Sequence, residues 1–414
     1  MVDQRRIDDQ RWVDARTAAR HLGIQVRSLY AYVSRGQVRS MPGERSRPRL
    51  YALSDVERLR VRRDARAGHG PVAAGALRWG EPVLESAITA ITPRGPAYHG
   101  RLAVELADAG VPFENAAELL WSGFLASAPV VWPRVTVPLA ALARLVGAGP
   151  APLEVMPLLV QVAALSDPDR GDGRPEAFVA RGRRLIPLLA AALAPGFSAA
   201  AVSRALGARS TAAIVARALE LDDAVVPALD RTLVVLADHE LNASSFTARV
   251  TASTEADPYA CVAAALATLS GPRHGNASLA IAAFADEVGR PEAARAAVRA
   301  LRKKGAVPPG FGHPLYPQGD PRAPVLLADA AHLARSRRAR TVLAIAEATT
   351  DAHPTVDVGL AALVAALDLP PSVGPGLFAV ARTAGWLAHA LEQRAAGFLL
   401  RPRARYVGRS VTSG

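Results

Sequence analysis

Residues 310–323 are the stretch that most narrows what this chain can fold into. Within fourteen positions they hold three glycines, three prolines, one histidine and an Asp-Pro-Arg sequence at 320–322. Glycine lets the backbone approach a ligand closely and proline interrupts regular helix, so the stretch predicts a loop that presents polar side chains. A second cluster, Gly-Pro-Arg-His-Gly at 271–275, lies about forty residues upstream. Together the two loops predict a site for chemistry.

The rest of the chain has the sequence pattern of α-helices. From Leu77 onward, amphipathic helical patterns follow one another, separated by proline and glycine, with no convincing run of alternating strand residues. Half of the residues are apolar, aromatic residues make up only 5%, and alanine, a strong helix former, dominates. A length of 414 residues allows two or three domains with a large core. We therefore predict an all-α protein.

Cysteine usage and hydropathy predict a cytoplasmic protein. The single cysteine, Cys261, excludes an internal disulfide and is typical of a reducing compartment. We interpret this lone thiol as core filler rather than as a nucleophile. The amino terminus lacks the apolar segment of a signal peptide. The longest charge-free stretch, 185–203, contains two prolines and a glycine, which predict a buried helix, a break and a new helix rather than a membrane span.

Most of the excess positive charge lies in the first sixth of the chain. Residues 1–70 hold 16 arginines and 8 acidic residues, a net charge of +8, whereas the remaining 344 residues carry only +4. A polyanion is the partner that such a segment favours. A solvated basic face is the alternative that charge alone leaves open.

The same segment predicts a pair of helices. Residues 13–24 indicate a short helix closed by Gly23, and residues 26–35 indicate a second helix that ends at Gly36. The link between them is three residues long, with apolar positions facing inward and arginines outward. This is the pattern of a helix-turn-helix, in which the first helix supports the second and the second enters the major groove of DNA.

The residues after this helix pair predict a wing and a further helix. An arginine-containing loop at 43–49 precedes the apolar run at 50–53, and Ser54 with Glu57 forms a capping box that opens a helix to about Arg66. The segment resembles the winged helix-turn-helix of MerR and excisionase-like DNA binders. A protein-interaction or vestigial module is the alternative. The resemblance implies groove contacts by Arg27, Ser28 and Tyr30 and phosphate contacts by Arg45, Arg47 and Arg49.

The larger part of the chain carries a second resemblance. From Glu85 nearly to the C-terminus the sequence is similar to the citrate synthase family, weakly over about 130–230 and strongly in later blocks. These blocks include DHELNAS at 238–244, GPRHG at 271–275, GFGHP at 310–314, TVDV at 355–358 and ARTAGW at 381–386. The resemblance implies an almost entirely α-helical homodimer, with a large domain and a smaller one that closes over substrate.

These signals divide the chain into three parts. Residues 67–76 are small and uncharged apart from a histidine, as a linker would be. We therefore predict a winged helix-turn-helix domain at 1–66, a linker at 67–76 and a citrate synthase-like domain at 77–414. By the resemblance, the smaller subdomain covers roughly 275–365.

The reaction that the resemblance implies sets strict chemical requirements. An acyl-CoA, acetyl or propionyl, condenses with oxaloacetate, the thioester is hydrolysed, and no metal or organic cofactor takes part. The proton next to the thioester has a pKa far above that of any side chain, so a carboxylate base must work beside a donor that stabilises the enolate. The ketone lies between two carboxylates, so arginines should clamp it and a histidine should polarise its carbonyl.

The resemblance assigns residues to each of these tasks. Asp357 matches the base, His274 the histidine that hydrogen-bonds the thioester carbonyl, and His313 the histidine that polarises the ketone. Arg401 matches a clamp that crosses from the neighbouring subunit. The other matches are the oxaloacetate ligands His239, Arg322 and Arg382, the supporting residues Asn242 and Ser244, and a coenzyme A segment with Val307, Pro308, Gly310, Phe311 and Gly312.

Each match has an ordinary alternative when it is taken alone. A histidine in a helical protein is more often a satisfied core or surface group, Asp357 could be a helix cap, and Arg382 and Arg401 could be surface charges. Lys303 and Lys304, the only lysines, could meet coenzyme A phosphates or form a solvated pair at a helix end. Seven matching positions in the right order favour the functional assignment.

Four residues depart from the family pattern. Asn276 stands where a second glycine is usual, and asparagine tolerates positive φ. Arg273 precedes the histidine of its block, where a cation would favour neutral imidazole or bind coenzyme A. Pro314 replaces a common arginine, and Leu236 stands where several bacterial members have another histidine. These changes put the choice of substrate in doubt, but not the reaction class.

Two functions are compatible with the whole sequence. The first is a working synthase, which the complete set of two histidines and one aspartate favours, because a sensor would not need the proton base. The second is a DNA-binding transcription regulator whose synthase-like body senses metabolites, which the basic amino-terminal segment favours. Both could hold in one chain.

Overall fold

The computed structural model describes residues 12–35, 37–42, 49–53, 55–57, 59, 84–146, 149–194, 196–404 and 408. The chain divides into two compact units, Met1–Glu85 and Ser86–Gly414. None of the helices within these described residues is long and apolar enough to cross a membrane.

The first unit packs two helices with a small sheet. Helices α1 (Ala15–Leu22) and α2 (Val26–Ser34) are joined by a short turn at Gly23, whose φ of 60° requires the left-handed conformation. Both helices lie where the sequence predicts them. The antiparallel sheet has the order β1-β3-β2, with β1 at Trp12–Asp14, β2 at Ser40–Met41 and β3 at Leu50–Ala52.

Several predicted features of this unit lie outside the described residues. They are Gly36, Arg45, Arg47, Ser54 and the linker at 67–76. Arg49, at the foot of β3, is exposed. Asp55, which follows Ser54 in the predicted capping box, accepts two hydrogen bonds at 2.7 and 2.9 Å from the guanidinium of Arg39.

The second unit is almost entirely helical, as predicted. Its α-helices run in chain order as follows: α3 Ala103–Asp108, α4 Phe113–Ser122, α5 Ala140–Val146, α6 Pro152–Leu165, α7 Pro175–Ala191, α8 Ala199–Ala205, α9 Thr211–Ala218, α10 Val226–Leu236, α11 Ala243–Ala252, α12 Pro258–Leu269, α13 Ala277–Val288, α14 Ala294–Lys303, α15 Ala323–Leu333, α16 Arg337–Ala348, α17 Val356–Ala366 and α18 Val373–Ala396. Two single 3-10 turns, Asp223–Val225 and Pro291–Ala293, precede α10 and α14.

This mostly helical unit also contains a small sheet that the sequence pattern did not reveal. Strands β4 (Thr89–Thr92), β5 (Gly95–Tyr98) and β6 (Arg101–Leu102) form an antiparallel meander. The two residues between β5 and β6, His99 and Gly100, both have positive φ, as the tightest hairpin turns require. The sequence pattern missed the strands because they are four residues or shorter, and β5 itself contains glycine and proline.

The apolar side chains of the second unit form two clusters. The larger joins the meander to α3–α12 and α18, and the smaller is drawn from residues 281–366. Helix α17 contributes to both. The cysteine lies in the larger cluster, where burial raises the pKa of Cys261 to about 12. The thiol therefore stays protonated, and its interpretation as core filler is confirmed.

The charge-free stretch at 185–203 has the form that the sequence predicts. Helix α7 continues through Pro187 and ends at Ala191, and α8 begins after Ser198, whose hydroxyl caps it by accepting from the Ala201 amide at 3.1 Å. The described residues between them, 192–194 and 196–198, are non-helical and include Gly196 with a φ of 59°.

Asp230 of α10 is a half-buried acid that contacts the start of α4. Its carboxylate accepts a hydrogen bond from the Phe113 amide at 3.0 Å. Burial raises the pKa of Asp230 to about 6, and the nearby charge of Glu114 adds to the rise. Above that pH the folded protein must hold a poorly solvated carboxylate.

We expect Asp230→Asn to stabilise the protein at pH 8. The amide keeps an acceptor for Phe113, while the folded-state pKa above the ordinary 3.8 means that the acid loses stability as pH rises through about 6. The gain in the free energy of unfolding should be roughly 2 kcal/mol at pH 8 and should vanish below about pH 4. Denaturant unfolding at both pH values measures it, with the exposed Asp223→Asn as control. A gain that is equal at both pH values would contradict the assignment.

Candidate active site

Helix α18 supplies the buried wall of the candidate site. Arg382 is only 1% exposed, its guanidinium carbon lies 4.5 Å from the centre of the Phe378 ring, and its Nε donates to the Leu236 carbonyl at 2.9 Å. None of the ion pairs formed within the described residues involves Arg382. Burial lowers the pKa of this guanidinium to about 10, so the group is still a cation at neutral pH. A buried cation without a paired carboxylate is suited to hold an anion.

Arg322 is the second buried arginine, and its situation differs. Its Nε and one terminal nitrogen donate to both oxygens of Asp320, at 3.0 and 2.8 Å. The same carboxylate accepts from the Val356 amide at 3.0 Å, which ties this corner to the start of α17. The sequence analysis predicted Arg322 as a carboxylate ligand but did not predict that Asp320 already occupies two of its donors.

Two of the predicted histidines meet around Tyr316. The rings of His239 and His313 lie 5.5 Å apart, and the Tyr316 ring lies 5.5 and 5.2 Å from them. The Nε2 of His239 is 2.9 Å from the Tyr316 hydroxyl. Burial raises the pKa of Tyr316 to about 12, so the phenol keeps its proton. Tyr316 lies within the loop at 310–323, and the sequence alone gave it no role.

Both of these histidines are held neutral. Burial, and then the charges of Arg322 and Arg382, lower the pKa of His239 well below its usual value. Burial and Arg322 also lower the pKa of His313. The Nδ1 of His313 accepts from the Leu315 amide at 3.1 Å, so the hydrogen of its neutral ring is on Nε2. His313 is therefore a neutral donor at Nε2, the form that can polarise a carbonyl.

His274 is connected to α11 and α18 through one hydroxyl. The Ser244 oxygen lies 2.8 Å from His274 Nε2, accepts from the Trp386 indole at 3.0 Å, and lies 2.8 Å from the Asn242 carbonyl oxygen. That carbonyl oxygen is identified as the acceptor because it also caps α11 by accepting from the amides of residues 244 and 245. Asn242 and Ser244 thus support His274, and Trp386, which the sequence analysis missed as a contact, completes the group.

The hydroxyl hydrogen of Ser244 decides where His274 carries its own hydrogen. When Ser244 donates to Asn242, the ring must donate from Nε2 to Ser244. When Ser244 turns to donate to Nε2, the ring carries its hydrogen on Nδ1. Burial, followed by the charge of Arg382, lowers the pKa of His274 to about 4, so the ring is neutral in both arrangements. The cation with this effect is Arg382, rather than the exposed Arg273 that the sequence suggested.

Asp357 lies at the start of α17 but does not cap it. The cap is Thr355, whose hydroxyl lies 3.3 Å from both the amide nitrogen and a carboxylate oxygen of Asp357. Burial raises the pKa of Asp357, against the opposing charge of Arg322 and the Thr355 hydrogen bond. Asp357 is half-buried, and a carboxylate of raised pKa is a better proton acceptor than one of ordinary pKa.

The predicted coenzyme A segment is fastened to the residues before α17. The Gly310 carbonyl accepts from the Thr355 amide at 2.9 Å, and the Gly312 amide donates to the His353 carbonyl at 2.8 Å. Gly310 has a φ of 83°, and a Cβ there would overlap Ile281. Among the predicted contact residues, Val307 is exposed, whereas the side chains of Pro308 and Phe311 are buried, which leaves mainly their backbone for a ligand.

Some predicted residues lie elsewhere. Arg401 is exposed in the coil after α18, and Lys303 and Lys304 are exposed at the end of α14. Asn276 has a φ of −101°, so the positive φ for which asparagine was considered is not needed at this position. Within the described residues, no group of three His, Cys, Asp or Glu side chains is arranged to hold a metal ion.

Comparison with known proteins identifies what this arrangement resembles. Residues 76–403 match the family model described as citrate synthase, C-terminal domain. Citrate synthase 2 of Bacillus subtilis is 38% identical over 190 residues, which cover 44% of this chain and 51% of that protein. The citrate synthase of Synechocystis is 37% identical over 201 residues, covering 46% of this chain and 50% of that protein. The matched region thus spans about half the length of these curated relatives.

A solved structure extends the likeness over most of the fold. It is the citrate synthase of the archaeon Thermoplasma acidophilum, described as a ternary complex with carboxymethyl coenzyme A and oxaloacetate. It superposes with a TM-score of 0.67 at 23% identity and covers 80% of this chain and 96% of that one. At this level of identity the likeness establishes the fold.

Proposed function

Since the chain belongs to the citrate synthase family, we propose that it condenses an acyl-CoA, acetyl or propionyl, with oxaloacetate and hydrolyses the thioester to release coenzyme A. The observation that carries the proposal is the buried cation of Arg382, unpaired with any described carboxylate, in a site whose histidines are neutral. Such a pocket favours a small anion with a polarisable carbonyl group. Oxaloacetate has both features.

The proposed reaction follows from the protonation states of three residues. The carboxylate of Asp357 removes a proton from the carbon next to the thioester, while His274 donates a hydrogen bond to the thioester oxygen. The resulting carbon nucleophile attacks the ketone carbon of oxaloacetate, and the Nε2–H of His313 stabilises the oxygen that gains the negative charge. Water then cleaves the C–S bond, which yields a carboxylic acid and the coenzyme A thiol.

In this reaction the orientation of the Ser244 hydroxyl determines which ring nitrogen of His274 carries the hydrogen. The atom beside the substrate is Nδ1 if Nε2 remains on Ser244, so donation to the thioester requires the arrangement in which Ser244 donates to Nε2. Asn242 then loses one of its three hydrogen bonds but keeps the two from the helix amides. The change involves one hydroxyl rotation, and the indole of Trp386 still donates to the same oxygen.

We expect Asp357→Asn to lower kcat for thiol release by at least about 10²-fold, because a general base contributes on this order. Oxaloacetate affinity should stay within a few-fold, since Asp357 is assigned to proton removal. A free-thiol assay with acetyl-CoA or propionyl-CoA plus oxaloacetate measures the first effect, and calorimetry measures the second.

The matched control is Asp368→Asn, which removes an exposed carboxylate just after the same helix at a positive φ that asparagine tolerates. It should behave like the wild type. Thiol release by Asp357→Asn within a few-fold of wild type would contradict the role of the base, and its absence in the wild type would contradict the proposed activity itself.

We further propose a homodimer in which Arg401 acts in the partner's site. The coil before it is anchored: the Phe398 carbonyl accepts from Gln393 at 3.0 Å and the Leu400 amide donates to Ser253 at 3.1 Å, while Arg401 is exposed. Exposed apolar side chains on two elements of this unit support contact with a second copy. They are Leu158 and Leu165 on α6 and Phe398 and Leu399 after α18.

Mixing two inactive variants tests the shared site. Arg401→Ala and Asp357→Asn homodimers should each be nearly inactive, because every site lacks one component. In a mixed dimer one site has both intact residues and the other has both defects. Random pairing of equal amounts after co-refolding gives about half mixed dimers, so about a quarter of wild-type activity should return. Activity no higher than that of the parents, with mixed dimers verified by mass, would contradict an action of Arg401 across the interface.

DNA binding by the first unit is the second candidate function, with the second unit as a metabolite sensor. What favours it is the outward face of α2, where Arg27 and Tyr30 are exposed and Ser28 is half-buried between them. An exposed tyrosine between basic residues, on the second helix of a closely joined pair, is suited to a groove. Arg45, Arg47 and Arg49 would then contact phosphates.

We expect full-length protein to bind duplex DNA with an affinity that falls steeply between about 50 and 200 mM salt. Arg49→Ala should reduce the slope of log affinity against log salt by about 0.9, the value for one lost phosphate contact. The control Arg204→Ala removes an exposed arginine from α8 and should leave the slope unchanged. An absence of DNA affinity at low salt, or equal slopes for both variants, would count against this function.

A further inference from the structure

A buried acid–imidazole pair lies directly behind the candidate site. Asp238 and His389 are both fully buried, and the Nε2 of His389 is 3.4 Å from an Asp238 oxygen. Neither ring nitrogen of His389 has a hydrogen-bond partner among the described residues, and the carboxylate of Asp238 is the acidic group in contact with this ring. A buried titratable pair of this kind contributes little net stability, because the cost of removing it from water offsets much of the attraction between its members.

The pair is built into the turn that carries His239. Asp238 precedes His239 in sequence, and its amide donates to the Tyr98 hydroxyl at 3.2 Å. On the other side, the Gly385 amide of α18 donates to the Ala237 carbonyl at 3.1 Å. A Cβ at Gly385 would lie far inside van der Waals contact with the Asp238 carboxylate. The helix can therefore approach this carboxylate only because residue 385 is glycine.

Arg382, Gly385 and His389 lie three and four residues apart on α18, so they share one face of the helix. This face brings a guanidinium group and an imidazole toward one carboxylate. His389 is in contact with Asp238, whereas Arg382 interacts with it only at longer range and binds the Leu236 carbonyl instead.

The charge of Asp238 is shared unequally between these two groups. Burial alone would raise the pKa of Asp238, but the neighbouring His389, followed by the charge of Arg382, brings it below the usual value. The carboxylate is thus ionised and compensated mainly by the imidazole. Without that imidazole, the remaining compensation would have to come from Arg382.

We propose that His389 is a positioning residue that compensates the Asp238 carboxylate and thereby keeps the guanidinium of Arg382 available for the substrate carboxylate. The inference rests on the proposed function, because it concerns the affinity for oxaloacetate. His389 touches neither substrate nor reacting atoms; it acts through Asp238 on Arg382. Its loss should weaken oxaloacetate binding and raise KM for oxaloacetate, with a smaller effect on kcat at saturation.

The test is oxaloacetate binding by calorimetry, without acyl-CoA, to wild type, His389→Gln and the double variant Asp238→Asn with His389→Gln. Loss of one partner of a buried pair is strongly unfavourable, so His389→Gln should bind oxaloacetate at least about tenfold more weakly. In the double variant the competing carboxylate is gone, and the asparagine side chain still offers an oxygen to the Glu240 amide, which donates to Asp238 at 3.2 Å in the wild type. The double variant should therefore recover affinity to within about threefold of wild type.

A merely structural role would give the opposite pattern, because a second core substitution adds damage. A double variant that binds as weakly as His389→Gln, or more weakly, overturns the inference, as does an unchanged affinity of His389→Gln. The control His332→Gln changes an exposed histidine and should bind like wild type.

If His389→Gln does not fold, the double variant alone tests the inference. A folded double variant that binds oxaloacetate tenfold more weakly overturns the inference, and near-normal binding supports it. Wild type that fails to bind oxaloacetate contradicts the proposed function and this inference with it, whereas wild-type binding with no rescue contradicts the inference only.

Discussion

The close packing of α18 against the turn at 236–239 is the contact on which the candidate site depends. One face of this buried helix carries Arg382 and Trp386, and the turn carries His239. The glycine at 385 removes the side chain that would hold the two apart, and the amide of Gly385 donates to the turn itself. The meander holds the turn from the other side through the hydroxyl of Tyr98. A site built on a rigid helix and a turn fixed on two sides places its charged groups with little freedom.

The electrostatics of the site follow from this geometry rather than from the residue types alone. Two buried guanidinium groups make imidazolium unfavourable, and burial acts in the same direction, so the pKa values of His239, His274 and His313 are all lowered. Burial acts in the other direction on acids and raises the pKa of Asp357. The site therefore combines cations for binding anions, neutral donors for carbonyl oxygens and a base. Each property arises because the groups share one poorly solvated space.

The sequence predicted the helical fold class and the residues of the site better than it predicted the contacts between those residues. His274 and His313 lie in loops rich in glycine and proline. This local composition identifies them as candidate site residues from the sequence alone. Tyr316 and Trp386 were missed as partners because an aromatic residue in a helical protein is usually core, and their contacts to His239 and Ser244 join residues far apart in the chain. The pairing of Asp320 with Arg322 was missed because the neighbouring residues were interpreted singly. The β4–β6 strands were missed because they are too short to show alternation.

Asp357 shows what kind of signal was available in the sequence but was not used. Helix α17 reads VDVGLAALVAA, and Asp357 is its single charged residue. Val356, Leu360 and Val364 join the larger apolar cluster, whereas Val358, Ala361 and Ala365 join the smaller one. A helix that is apolar on all faces lies inside a protein, so a carboxylate in its first turn has only limited access to solvent, and Asp357 is half-buried. A carboxylate kept there must be compensated locally, and Thr355 and the charge of Arg322 provide that compensation. Because α17 belongs to both clusters and the Asp320–Arg322 corner binds its first amide, the position of Asp357 depends on the packing of both clusters.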